Sequence, residues 1–569
     1  MARDDDFRVR PGRIRSARAR EGRSFIGRVL AATNRAGGMG RPGSGRAGKG
    51  PSTFGRGRGA ATRANRLLSR RTRLAIVKAR VVRHGARATL RAHLSYLQRE
   101  GVTKDGEKAR LFGAERCQDD RHHFRFIVGP EDAAEMADLK TFTRELMTQA
   151  EQDLGTKLDW IAVSHWNTDN PHIHIIVRGK DQDGEDLVIS RDYIREGLRA
   201  RAQNLVTLEL GPRTEQEIHR NVERQVEAER WTQLDRQLQQ DANQHGIIDM
   251  APSPDRQPDA FAVMKVGRLR RLERMGLAHE VGVGQWRLEE TAEVTLREMG
   301  QRNDIIKRIH RGLSEQGIER PSSSWVLAGE DPAEPVIGRL VARGLDDELK
   351  GSAYAVIDGV DGRTHHVHLP SLEAAGDVPH GGLVELRTYQ DAKGQRRATL
   401  AVRSDLPIGE QVLARGATWL DRQLVAREPV ALGEGGFGAE VRDALRQRSA
   451  HLVEQGIAQQ DGARVRYPRG MVASMRALEM RDVAGRLARE TGQPIQSAEA
   501  GEYVTGTYRQ RLTLASGRFA MIDGGLGFQL VPWTPSLEKQ IGRHVSGVAR
   551  EDGGVDWSFG RKRDMGIGL

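Results

Sequence analysis

Three histidines in the stretch Ser164–Val177, SHWNTDNPHIHIIV, have the type and spacing to hold a divalent cation. His172 and His174 flank one apolar residue in a run whose β-branched composition predicts a strand. Both imidazoles then project from one face, and Ile173, Ile175 and Val177 from the other. One face belongs to a core and the other to a site. His165 stands seven residues before His172, and the Asn-Thr-Asp-Asn-Pro between them has the turn chemistry that returns a chain alongside the pair. Three converging imidazoles with open coordination positions describe a catalytic metal centre, and Asp169 is a nearby carboxylate to ligate or orient them. The single cysteine, Cys117, excludes an internal disulfide and a thiolate cluster, so any metal rests on nitrogen and oxygen.

A metal needs a partner in chemistry, and the elements around it suggest where to look. Leu74–Val82 (LAIVKARVV) reads as a strand. It leads into ARATLRAHLSYLQREG, where Leu90, Leu94 and Leu97 form the apolar stripe of a helix closed by Gly101. Tyr96 lies off that stripe, on the face shared with His93, and is free to point into a site. A second strand, His122–Val128, follows, then helix-period sequence at 131–153, a strand pair Trp160–Ser164 and His172–Val177, a turn at Asp181–Asp186 and a helix over 191–210. Alternation on the second strand places Phe124, Phe126 and Val128 in the core and His123 with Arg125 on the face of the site. This mixture predicts an α+β domain over 73–225.

HLSYLQR (His93–Arg99) after a strand, followed downstream by HWNTDNPHIHIIV (His165–Val177), resembles the tyrosine and three-histidine motifs of plasmid-mobilisation relaxases of the VirD-like branch of the HUH endonucleases. The resemblance covers 73–225. It implies an antiparallel sheet with helices on one face. It also implies that Tyr96 attacks a phosphodiester of single-stranded DNA, leaving a 5′-phosphotyrosine and a free 3′-OH, and that His165, His172 and His174 bind Mg²⁺ or Mn²⁺. Some relatives carry an acidic residue where this chain has Asn167, which cannot take a proton, so a general base falls to Asp169, His93 or His123. Arg99 and Arg125 are the expected DNA contacts beside the site. By the same resemblance the substrate is single-stranded and supercoiled plasmid DNA at an origin of transfer. The partners are a type IV secretion coupling protein and relaxosome accessory proteins, and the setting is the bacterial cytoplasm, with possible passage to a recipient cell. A rolling-circle replication initiator or an HUH transposase shares this chemistry. A non-enzymatic DNA-binding protein would use basic segments alone.

The charge of the chain agrees with a nucleic-acid partner once it is located. The net +13 resides in residues 1–72, which carry 19 basic side chains against four acidic ones, a net of +15; the remainder, 71 basic against 73 acidic, is −2. This Arg/Gly/Ser-rich arm, with Arg56 and Arg58 among its expected DNA contacts, lacks the apolar periodicity of a packed segment and is expected to stay disordered until phosphates order it. No apolar run is long enough for a membrane helix or a secretory signal.

The rest of the 569 residues predicts several modules. Residues 226–330 form a helical, winged-helix-like module, in which 261–290 read as a basic helix, a break at Gly276 and a hairpin around Gly282–Gly284. A small β-rich module is expected over 331–405, with a small β-barrel at 335–402, and a second helix-then-hairpin module over 406–500; over 501–569 a β segment at 503–531 is expected to end the folded part and a loose tail to follow. Three further motifs fail on context. Gly43–Gly50 approaches a phosphate-binding loop but ends in Gly50, and Gly433–Val441 lacks the partners of a kinase loop. THHVHLP repeats the His-x-His spacing at His366 and His368 without a third histidine beside it, and reads as a structural strand.

Overall fold

The structure, a computed structural model, describes residues 71–83, 120–166, 171–243, 245–251, 259–327, 335–347, 349–391 and 394–559. It is a mixed α+β chain that divides into two compact units, Met1–Asp304 with Asp347–Lys350, and Ile305–Asp346 with Gly351–Leu569. No helix among the described residues is long and apolar enough to cross a membrane.

In the first unit β1 (Ala75–Arg83), β2 (His122–Pro130), β3 (Trp160–His165) and β4 (His172–Arg178) form one antiparallel sheet in the order β1-β2-β4-β3. Its core face carries Val77, Phe124, Phe126, Val128, Ile173, Ile175 and Val177, all buried against α1 (Leu139–Leu154) and α2 (Leu198–Leu210). Each fully buried side chain of this size stabilises the domain by roughly 1.5–3 kcal/mol, which fixes which face of the sheet points inward. Asp138 caps α1 by accepting from the amides of Lys140 and Thr141, and Gly155, at φ 66°, ends it. The helix expected over 191–210 opens with a wide turn at Tyr193–Gly197 before α2, because Gly197 lies against the Tyr193 ring where a Cβ would sit 2.5 Å from Cδ2. Asp181–Asp186 is the expected turn, with Asp181 accepting from the amides of Asp183 and Glu185.

Beyond the sheet come α3 (Glu215–Val226), α4 (Gln233–Asp241), β5 (Ile247–Asp249), α5 (Ala262–Arg274), β6 (Ala278–Gly282) and β7 (Gln285–Leu288). The last two strands make the hairpin read around Gly282–Gly284. With β5 they form a three-stranded sheet whose Trp286 and Ile248 pack on Leu269 and Leu272 of α5. The long helix α6 (Ala292–Glu315) follows.

In the second unit β8 (Trp325–Val326), β9 (Ile337–Asp347), β10 (Ser352–Gly359), β11 (Thr364–Leu369), β12 (Leu383–Gln390) and β13 (Arg396–Ser404) bond in the order β13-β12-β9-β10-β11-β8. β13 and β8 stand at the two ends of this order, and β11 lies close to β13 across it. Then come α7 (Ile408–Leu413), α8 (Trp419–Leu424), α9 (Gly436–Glu454), the hairpin β14 (Gln459–Asp461) and β15 (Arg464–Arg466), and α10 (Met471–Thr491). Last are β16 (Tyr503–Leu514), β17 (Gly517–Asp523), β18 (Phe528–Pro532), β19 (His544–Ala549) and β20 (Val555–Trp557). The expectation of a loose tail soon after residue 531 is corrected by β19 and β20, short strands whose Gly-rich surroundings gave little periodic signal.

Candidate metal centre on the sheet face opposite the core

Residues directly opposite one another in an antiparallel ladder share a face, so the registers of β1 to β4 lay out the site row by row. One row is Lys78, Ile127, His174 and Val163, and the next is Arg80, Arg125, Ile176 and Ile161. On the other side of His174, His172 stands opposite His165 and next to Gly129, where a Cβ would sit 3.7 Å from that of His172. All three histidines therefore project from the face opposite the core.

Their rings converge. Centroids lie 5.3 Å apart for His165 and His172, 4.4 Å for His165 and His174, and 5.0 Å for His172 and His174. One ligand nitrogen from each falls within 4.8 Å of the others, with His165 and His174 buried and His172 half-buried. Nε2 of His172 and Nε2 of His174 are 3.1 Å apart. Two imidazole nitrogens at that distance cannot both carry a proton, whereas a cation between them satisfies both lone pairs, so the donor set fits a divalent metal. A set of neutral imidazoles suits a borderline ion better than Mg²⁺, which takes mainly oxygen ligands and would need water, carboxylate or phosphate oxygens to complete its shell.

His123 and Arg125 share this face but are not open to solvent. Both are buried, and Arg125 Nε donates to His123 Nε2 at 3.0 Å. An Nε2 lone pair engaged by a guanidinium does not collect a proton from a nucleophile, so the geometry argues against His123 as general base and makes Arg125 a support for the face instead of an outward DNA contact. Alternation alone could not reveal this, because it gives a residue's side and not what covers that side. Tyr96, Arg99, Asp169, His93, Asn167, Arg56 and Arg58 lie outside the described residues. Residues 1–304 contain two tyrosines, Tyr96 and Tyr193. The second is no nucleophile: it is buried, its hydroxyl donates to Asp153 at 3.0 Å, and burial holds its pKa far above the ordinary phenol range.

Two features escaped the sequence reading. Lys78 and Arg80, both exposed, stand on β1 in the same rows as His174 and Arg125 and set positive charge on the same face, with β2 between them and the triad's own strand pair. Their alternation in AIVKARVVR was visible, but the strand order that carries it to the histidine face was not. Arg178, at the end of β4, makes a bidentate pair with buried Asp120 at 2.8 and 3.0 Å, which ties the segment before β2 to the strand that carries His172 and His174.

No curated protein and no solved structure matches the chain. Residues 265–397 and 386–566 match one family model, described as a protein of unknown function, DUF3363. These segments together span more than half of the 569 residues, and the chain belongs to that family.

Proposed function

We propose that the chain is a metal-dependent relaxase of the HUH type, which cuts one strand of plasmid DNA at an origin of transfer and retains the 5′ end on Tyr96. The observation that carries this reading is the convergence of His165, His172 and His174 on the face of an antiparallel sheet opposite the one packed with helices. A bound Mg²⁺ or Mn²⁺ would neutralise charge on the non-bridging oxygens of the scissile phosphate. The tyrosine oxygen forms a bond to phosphorus as the bond to the 3′ oxygen breaks. The phenolic proton passes to a base and the leaving 3′ oxygen is protonated. One phosphodiester is exchanged for another, so the rejoining step requires no nucleotide triphosphate. Lys78 and Arg80 supply positive charge for the strand's backbone beside the triad, and the arm of residues 1–72 adds non-specific attraction. In this reading the partners are a type IV secretion coupling protein and relaxosome accessory proteins, and the setting is the bacterial cytoplasm.

The decisive experiment incubates the full chain with Mn²⁺ and a labelled single-stranded oligonucleotide from its plasmid's origin of transfer, wild type beside Tyr96→Phe. The expected result is a protease-sensitive, EDTA-blocked covalent adduct with the wild type only. An adduct that persists in Tyr96→Phe would move the nucleophile elsewhere. Absence of any adduct on cognate DNA would leave a DNA-binding protein with a structural metal site.

A further inference from the structure

The chain from Val226 onward carries one architectural unit twice. Val226–Leu238 reads VEAERWTQLDRQL and Val412–Leu424 reads VLARGATWLDRQL. Thr232 and Asp235 close a capping box on α4, and Thr418 and Asp421 close the same box on α8. Each aspartate then receives a fully buried arginine from the helix that follows. Arg268 Nε and Nη2 lie 2.7 and 3.0 Å from Asp235, and Arg448 Nε and Nη2 both lie 2.8 Å from Asp421. The remaining guanidinium hydrogens go to carbonyls in the same register, those of Val226, Ala228 and Arg230 in one copy and Val412, Ala414 and Gly416 in the other.

The correspondence continues through the sheets. Each copy passes from its hairpin to a long helix and then to strands bonded in equivalent order, β13-β12-β9-β10-β11 and β20-β19-β16-β17-β18. A parallel partner lies on the last strand of each, β8 on β11 and Ile495 on Phe528. Ala355–Gly359 (AVIDG) matches Ala520–Gly524 (AMIDG), and Pro370–Glu373 matches Pro535–Glu538, both PSLE. Gly338 and Gly506 each approach the carbonyl of the aspartate in that motif so closely that a Cβ would lie 2.3 Å from it.

Against this shared scaffold the two hairpins differ in charge. Trp286 and Val465 hold the equivalent inward position, opposite Glu280 and Gln460, which aligns Arg464, Arg466 and Arg469 with Gln285, Arg287 and Glu290. The first hairpin is acid-lined and internally satisfied: His279 Nδ1 lies 2.9 Å from Glu289, and Glu280 accepts from the Gly284 amide. The second presents three exposed arginines. Arg466 pairs with Asp461 at 2.6 Å, and the side chains of Arg464 and Arg469 have no ion-pair or hydrogen-bond partner among the described residues. The outer face of α9 offers no comparable charge, since Arg446 pairs with Asp443 and the neighbouring exposed positions are Gln447, Ala450 and Glu454.

We infer that the β14–β15 hairpin of the second copy, and not the β6–β7 hairpin of the first, lies on the phosphate backbone of duplex DNA. A two-stranded ribbon fits a groove of the duplex. Arg464 and Arg466, two residues apart on one strand, are spaced by about 7 Å, close to two successive rises along a DNA strand. Guanidinium groups are the side chains best matched to phosphate oxygens. The contact is separate from the metal face and does not depend on the tyrosine chemistry.

The test uses the full chain and a labelled duplex oligonucleotide. Benzoylphenylalanine at the second hairpin's tip, in place of Ala463, should photo-crosslink to the duplex, and the same group in place of Val283 at the first tip should not. Arg464→Gln, Arg466→Gln and Arg469→Gln together should abolish that crosslink and lower the slope of log Kobs against log salt by about 2 to 3, since each lost phosphate contact removes roughly 0.9. All three positions are exposed, and an unchanged melting curve verifies the fold. Equal crosslinking from both tips, an unchanged slope, or crosslinking only to an added protein would overturn the proposal. The covalent adduct of Tyr96 should form in the triple variant as in the wild type, so failure of one reading is distinguishable from failure of the other.

Discussion

At the scale of single residues, the metal reading makes a direct demand. His172→Ala and His174→Ala should each weaken Mn²⁺ binding, measured by calorimetry, by more than the roughly 10- to 100-fold lost when only a supporting hydrogen bond is removed. A smaller loss would demote the triad to a polar cluster. A second histidine pair, His366 and His368 on β11, obeys different physics. His366 is buried, stacks on Tyr354 with centroids 5.4 Å apart, and has no hydrogen-bond partner for either ring nitrogen among the described residues. Burial, with Arg308 adding to it, pushes its pKa down to about 4 from the usual 6.5. Between those values the unfolded chain binds a proton that the folded chain refuses, so stability falls as pH falls through this window, by up to about 3 kcal/mol. Asp346, held well below the usual carboxylate range by His368 and Arg308, contributes only at lower pH, which keeps the two effects apart. His366→Phe should flatten the stability curve from about pH 6.5 to 4; a slope that survives the substitution would assign the effect to another group. The histidine-bearing strand β4 was legible because its period of two is written in one uninterrupted run. The positions of Lys78 and Arg80 were not, because they depend on which strands are neighbours.

At the scale of elements, what reads from sequence is a helix followed by a glycine and a hairpin, which recurs after Gly276 and after Gly456. What does not read is that these are two copies of one unit. The spacing between equivalent positions drifts, from 186 residues at Asp235 and Asp421 to 180 at Arg268 and Arg448 and 165 at Asp358 and Asp523, as loops shorten, so no fixed period betrays the repeat. The clamp that identifies it is a buried ion pair satisfied by backbone carbonyls, a contact assembled by tertiary structure. Arg448→Ala should cost about 3–5 kcal/mol, because it leaves the Asp421 carboxylate and three carbonyls buried without their donor. The combined Arg448→Met and Asp421→Asn variant should recover part of that loss in a denaturant titration. If Arg448→Ala were nearly neutral, the pair would be solvated in a way its complete burial does not suggest.

For the whole molecule, the triad and the first clamp fall in one compact unit and the second clamp in the other. The family match begins at residue 265, within α5, so it includes Arg268 but neither the triad nor Asp235. A metal that binds only the folded state stabilises the unit that holds it by RT ln(1 + [L]/Kd), about 2.7 kcal/mol at a hundredfold excess over Kd. Each unit has its own cores, clusters of apolar side chains built around Phe126 in one and Ala355 in the other. Calorimetry of the full chain is therefore expected to separate an unfolding step lowered by Arg268→Ala from one lowered by Arg448→Ala. Added Mn²⁺ should raise the first step and leave the second where it is, and His172→Ala should remove the rise. A Mn²⁺-dependent shift confined to the Arg448-sensitive step would place the cation away from the three histidines and withdraw the metal centre on which the nicking chemistry rests.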